Sequence, residues 1–136
     1  MGSRSIISLD VGEKRIGVAV ADIGVKIAVP YETILVDGNE VRSIAEILDR
    51  ENADAIVVGY PRNQAGEPTA QTRYVENFVE KLSDLPARIY YQDESLTSVL
   101  AEQQLAAHGR PYRRSDIDSQ AAAIILQDYL ETHYDK

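Results

Sequence analysis

The sequence predicts an α/β fold around a mixed sheet of about five strands, on three observations. Two apolar runs, one ending at Asp10 and one from Ile16 to Val20, are separated by so short a turn that the second must return antiparallel to the first. Ala53 to Tyr60 (ADAIVVGY) is an unbroken apolar run, the kind buried on both faces of a parallel sheet. From Glu40 onward, helical and strand patterns alternate, as crossover connections require.

The elements follow in order. Ile6, Ile7 and Leu9 are β-prone, and after a turn at Gly12 the return alternates Ile16, Val18 and Val20 against Gly17 and Ala19. Lys26 to Leu35 is a third extended run, which Pro30 pushes toward a sheet edge or an interruption. Asp37-Gly38-Asn39 signals a turn, and Glu40 to Arg50 is helical with Val41, Ile44, Ala45 and Leu48 on one face. A loop from Pro61 to Glu67 follows the fourth strand. Pro68 suits the first turn of the next helix, whose core face holds Val75, Phe78, Val79 and Leu82. Ala87 to Gln92 is a fifth strand. A third helix runs from about Thr97 to His108 and stops at Gly109, and a last one starts at Ser115 or Asp116. Ala121 to Leu126 is apolar all round, so the last helix is expected to be buried on most sides.

With 136 residues the chain reads as a single domain, 1–136, large enough for a real core. No apolar stretch approaches the roughly 18 residues that span a bilayer, so no membrane role and a cytoplasmic location are expected. Without cysteine there is neither a disulfide framework nor a thiolate metal site, and two histidines make a histidine-based zinc site implausible. Net charge is −8, from 14 basic and 22 acidic residues, which weighs against nucleic-acid binding. Screening confines distant repulsion to about 8 Å at physiological salt, so a local basic rim can still act on an acidic body.

Acids collect where the topology converges. Asp10 ends strand one, Asp93-Glu94 end strand five, and Asp116 and Asp118 open the last helix. Ligands of open α/β sheets bind beyond the carboxyl ends of the parallel strands. Asp10 is either a turn-capping aspartate or a metal anchor. Asp93 and Glu94 are adjacent, so their side chains point to opposite faces and one alone can enter a shared site. Carboxylates ~4 Å apart repel by about 4 kcal/mol per pair at an effective dielectric near 20. A divalent cation relieves that repulsion, and hard oxygen ligands favour Mg²⁺ or Mn²⁺.

Basic residues flank this edge. Lys14 and Arg15 sit in the turn beyond Asp10, either solvated or facing phosphates. Arg62 and the group Arg110, Arg113 and Arg114 form two more basic spots, and Tyr112 is placed to stack on a base. Gly59 to Gly66 lacks the spacing of a P-loop.

Four segments resemble, in order, the motifs of the YqgF family: Asp10-Val-Gly-Glu-Lys-Arg-Ile-Gly-Val-Ala, Val57-Val58-Gly59-Tyr60-Pro61-Arg62-Asn63 with Gly66 and Gln71, Asp93-Glu94-Ser95-Leu96-Thr97-Ser98, and Ile117-Asp118-Ser119-Gln120-Ala121-Ala122. The resemblance runs from about Ile6 to Leu130. It implies a ribonuclease H-like fold with five strands in a mixed sheet, relationship to Holliday junction resolvases, and nuclease activity maturing the 5′ end of pre-16S rRNA. It also implies Asp10, Glu94 and Asp118 as catalytic and metal-binding residues. Lys14, Arg15, Arg62, Arg113 and Arg114, the basic spots read from the residues, are expected to face nucleic acid. In such sites two Mg²⁺ or Mn²⁺ ions, about 3.5–4 Å apart, activate water and stabilise the leaving oxygen. Asp10 would bridge them, and Glu94 and Asp118 would each complete one ion's shell. Ser95 departs from the family, which usually has Arg after the Asp-Glu pair.

The partners expected are pre-rRNA or branched DNA, with ribosomal precursor particles, and the chain is a monomer or a homodimer. A four-way-junction DNA nuclease and a non-catalytic ribosome-associated or nucleic-acid-binding module stay open beside the rRNA reading. An actin-like ATPase would need two such domains and is set aside.

Overall fold

The computed structural model describes residues 4–63, 65–94 and 97–133, without the side chains of Thr97 and Ser98. Strands β1 (Ser5–Val11), β2 (Arg15–Asp22) and β3 (Ala28–Leu35) come first. They are followed by α1 (Glu40–Arg50), β4 (Ala53–Pro61), α2 (Ala70–Glu80), β5 (Arg88–Glu94), α3 (Thr97–Ala107) and α4 (Arg114–His133). The five strands form one sheet in the order β3-β2-β1-β4-β5. β1–β2 and β2–β3 are antiparallel, while β1–β4 and β4–β5 are parallel. The short Gly12–Lys14 turn allows no other pairing for β2, which makes the sheet mixed.

Period-2 alternation gives β1 and β4 two apolar faces. On one, Ile7, Leu9, Val11, Ile56 and Val58 pack with Ile44, Ile47 and Leu48 of α1 and Val75 and Phe78 of α2. On the other, Ile6, Ala19, Ala55 and Val57 pack under Ala122, Ile125, Leu126 and Leu130 of α4. Each fully buried Ile or Leu contributes about 1.5–3 kcal/mol, so this double cover explains why β1 and β4 are central. The Ser8 hydroxyl, buried between sheet and helix, donates to the Ala122 carbonyl at 2.7 Å. Among the described residues no helix is long and apolar enough to cross a membrane.

Several expectations shift at element ends. Pro68 precedes α2 instead of opening it. Thr69 is the N-cap, accepting from the Thr72 backbone N–H, while the Thr72 hydroxyl accepts from the Thr69 N–H and donates to the Pro61 carbonyl. α4 starts at Arg114, one residue early, because the Asp116 carboxylate accepts from the Arg113 N–H at 2.8 Å and closes the first turn. Strand five runs on to Glu94, paired through Pro61 of β4. Pro30 lies in the edge strand β3, and the β2–β3 register shifts opposite it, between Val18 and Ala19. Gly109, with φ of +72°, follows α3 as expected.

Candidate active site

Two glycines decide how close the acids come. Gly17 of β2 stands opposite Asp10 of β1 on the face that α4 covers. A Cβ at Gly17 would lie 1.9 Å from the Asp118 carbonyl oxygen, so the start of α4 rests directly on the β2 backbone. A Cβ at Gly59 of β4 would lie 2.8 Å from Glu94 Oε1 and 2.7 Å from Ile125 Cδ1. The Glu94 side chain therefore lies across β4, toward β1. Asp10, Glu94 and Asp118 are in this way brought to one crevice between the sheet edge and α4.

Their mutual field is visible in Asp10. Its carboxyl is pushed up to about 8, first by burial and then by the negative charges of Glu94 and Asp118. An aspartate this hard to ionise near neutral pH is waiting for positive charge. Among the described residues no three acids are placed to grip an ion as they stand. Asp118 is instead held by Arg15, whose Nε–H donates to its Oδ2 at 2.7 Å across a partly buried pair. The donor chemistry, carboxylate oxygens from three elements around an electrostatically frustrated aspartate, fits a hard divalent cation. An ion at Asp118 would compete with Arg15 for the charge of that carboxylate.

The remaining candidate residues divide. Arg15, expected to be either solvated or facing phosphates, meets an acid here. Arg114 joins Arg15, Asp118, Val99, Glu102 and Ile117 around a cavity of about 260 Å³. Lys14 and Arg113 are exposed nearby in sequence, in the β1–β2 turn and before α4. Arg62 lies with Asp93, 3.6 Å away, on the opposite sheet face from Glu94. Asp93 and Glu94 thus point apart, as strand alternation requires. Asp116 is a cap, and Tyr112 is 38% exposed in the α3–α4 loop. Ser95 lies outside the described residues.

Sequence reasoning named Gly17, Gly59 and Gln71 within strand and motif patterns and missed their part in building the crevice. Gly17 and Gly59 are interior strand glycines, a known mark of close backbone approach. Gln71, at the start of α2, donates from Nε2 to the Val11 carbonyl at 3.0 Å and fixes the end of β1 from the other face. Glu102 is a fourth acid beside Arg15 and Asp118, and nothing in its local sequence singles it out.

Comparisons with known proteins accord with this fold. The family described as "RuvX: Holliday junction resolvase" matches residues 4–132. A Chloroflexus aggregans protein named "Putative pre-16S rRNA nuclease" is 40% identical over 138 residues, covering 96% of each chain. A Synechocystis protein of the same name is 39% identical over 130 residues, covering 92% of this chain and 86% of its own. Among solved structures, Thermus thermophilus RuvC in complex with a Holliday junction substrate superposes with a TM-score of 0.57 at 16% identity over 94% of each chain. Fowlpox virus resolvase with junction DNA gives 0.56 at 16% identity, over 96% of this chain and 99% of that one. These two likenesses concern the fold, which is ribonuclease H-like. By the family match and the near full-length relatives, the chain belongs to the RuvX family of Holliday junction resolvases, the family its four motifs resemble.

Proposed function

We propose that this chain is a divalent-metal-dependent endonuclease that hydrolyses phosphodiester bonds in the 5′-end maturation of pre-16S rRNA. The name shared by its 40%-identical relative supports the substrate, and the family supports the nuclease class. The observation that carries the chemistry is the crevice where burial, with the charges of Glu94 and Asp118, raises the Asp10 carboxyl.

Asp10, Glu94 and Asp118 would hold Mg²⁺ or Mn²⁺, and Asp10 would then ionise below its metal-free value. The bound cation supplies Lewis-acid stabilisation of the charge that develops on the scissile phosphate. Arg15, which pairs with Asp118 in the metal-free protein, would meet that phosphate once Asp118 served an ion, with Arg114 across the adjoining cavity. Lys14 and Arg113 extend the basic rim, contacting backbone and not reading bases. Arg62 serves the strand from the other face. The unit acts as one domain in the cytoplasm.

Cleavage of four-way DNA junctions is the second reading, favoured by the family's description. It predicts a dimer with two active sites. The test incubates the protein with pre-16S leader RNA and with a four-way junction, each with Mg²⁺ or Mn²⁺, beside Asp10→Asn. Leader cleavage that Asp10→Asn abolishes supports the proposal. Junction cleavage alone supports the second reading. Cleavage that survives Asp10→Asn defeats the catalytic assignment.

A further inference from the structure

On the sheet face opposite Glu94, the last residues of β4 and β5 build a second site. Tyr60 and Tyr91 stand at 4.7 Å between ring centroids and 61° between planes, an edge-to-face corner. Arg62 lays its guanidinium 4.9 Å over the Tyr60 ring and pairs with Asp93 at 3.6 Å. The Tyr60 hydroxyl donates to Glu76 of α2 at 2.7 Å, which fixes that ring. These residues and Gln92 line an open cavity of about 410 Å³, within the ~300–1,000 Å³ range of small-ligand sites. Tyr91 stays 43% exposed although apolar helices cover the same face nearby.

We infer that the Tyr60–Tyr91 corner binds one unstacked nucleobase of the strand whose phosphate meets the Asp10 crevice. The inference rests on the nuclease reading and gives it a subsite. One peptide bond separates Asp93 in this cavity from Glu94 in the crevice, so a single strand turning over the sheet edge meets both. A planar base finds an aromatic face in Tyr91 and a planar cation in Arg62, and stacking tolerates any base. The Asp93 carboxylate offers a partner to a base edge. Stacking on Tyr91 needs a base whose own face is free, so the strand is unstacked there.

Two observations decide against a partner's cationic side chain as occupant. Arg62 already covers the Tyr60 ring, and Asp93 already has its cation. Glu76 and Glu80 lie close enough to act on the Tyr91 hydroxyl, so a basic peptide is the rival to test.

The experiment measures anisotropy of a labelled single-stranded RNA in low salt with EDTA, where no cleavage intervenes. Tyr91→Ala should weaken binding about tenfold, within the span measured for base–aromatic stacking, and Tyr91→Phe should restore it. Moving one abasic nucleotide along the RNA should reveal one position that costs the wild type a similar factor and costs Tyr91→Ala nothing more. Blunt duplex RNA should bind both proteins alike. Equal affinity of wild type and Tyr91→Ala, no measurable binding by the wild type, or an abasic effect that persists in Tyr91→Ala overturns the inference. So does an arginine-rich peptide whose binding needs Tyr91 while RNA binding does not. The two readings separate cleanly. Asp10→Asn should keep the Tyr91 and abasic effects while losing cleavage, and a wild type that shows those effects without cleaving would leave the base site standing and remove the nuclease reading.

Discussion

Asp93 and Glu94 are neighbours in the chain and lie in opposite chemistry. Glu94 crosses the bare backbone of Gly59 into a crevice where it meets Asp10 and Asp118. Asp93, on the other face, is largely exposed and has Arg62 and two tyrosine rings beside it. One face concentrates negative charge in partial burial; the other dilutes it in solvent and answers it with a guanidinium. The first arrangement suits a cation and phosphodiester chemistry, and the second suits a neutral planar group. The difference comes from what covers each face, α4 over one and α2 beside an open cavity on the other.

The largest effect should come from removing the close approach itself. Gly17→Ala puts a methyl 1.9 Å from the Asp118 carbonyl oxygen, and backbone cannot yield as a side-chain tip does. We expect a loss of about 3 kcal/mol in urea unfolding, at the upper end of overpacking costs. Gly59→Ala meets the ends of Ile125 and Glu94, which can move, and should cost about 1 kcal/mol. Equal costs at the two positions would mean that α4 does not rest on β2 as described.

Next comes Asp10→Asn, which should lower cleavage at least about a hundredfold, the scale of losing one group aimed at the transition state. Its stability effect has the opposite sign. A carboxyl raised from 3.8 to about 8 on folding binds its proton more tightly in the folded state. Its ionisation therefore costs stability progressively as pH rises from about 4 to about 8, and by a constant amount above that. In metal-free buffer Asp10→Asn should melt near wild type at pH 4 and clearly above it at pH 8.5. A melting difference that does not change with pH would show that Asp10 lacks the strained environment assigned to it.

Mn²⁺ titration followed by thermal shift compares the two faces directly. An ion that binds only the folded protein stabilises it by about 2.7 kcal/mol at a hundredfold excess over its Kd. Glu94→Gln and Asp118→Asn should each remove most of that gain, and Asp93→Asn little. If Asp93 proves the sensitive acid, the assignment of the faces is reversed.

The smallest effect should be at Arg15. Arg15→Ala frees Asp118 from its partner, so Mn²⁺ affinity should rise about fivefold, equivalent to ~1 kcal/mol for a pair of this exposure. Affinity for RNA should fall at the same time. A drop in both would make Arg15 a structural support of α4 and not a competitor for Asp118.

Much of this was legible beforehand. The alternation of Ile16, Val18 and Val20, and the unbroken Ala53–Tyr60 run, specify their strands through side-chain period and burial, which are local properties. The apolar Ala121–Leu126 stretch announced the buried helix α4 for the same reason. Asp10, the Asp93–Glu94 pair and Asp118 could be nominated because strand ends and helix starts are readable, and the resemblance to the family chose Glu94 from the pair. The Arg15–Asp118 pair could not be, since 103 positions separate the two residues and no local pattern carries their distance.

By itself the sequence determined which segments are strands and helices, which of them are buried on both faces, and which acids reach the carboxyl edge of the sheet. Periodicity, turn chemistry and apolar runs act over a few residues, so a chain read in order contains them. Only the tertiary structure decided that Gly17 and Gly59 are the seats of Asp118 and Glu94, that Arg15 holds one acid of the crevice, and that Tyr60 and Tyr91 form a corner on the far face. Those facts depend on distances between elements remote in sequence, and such distances exist only once α4 has docked and β4 and β5 have paired.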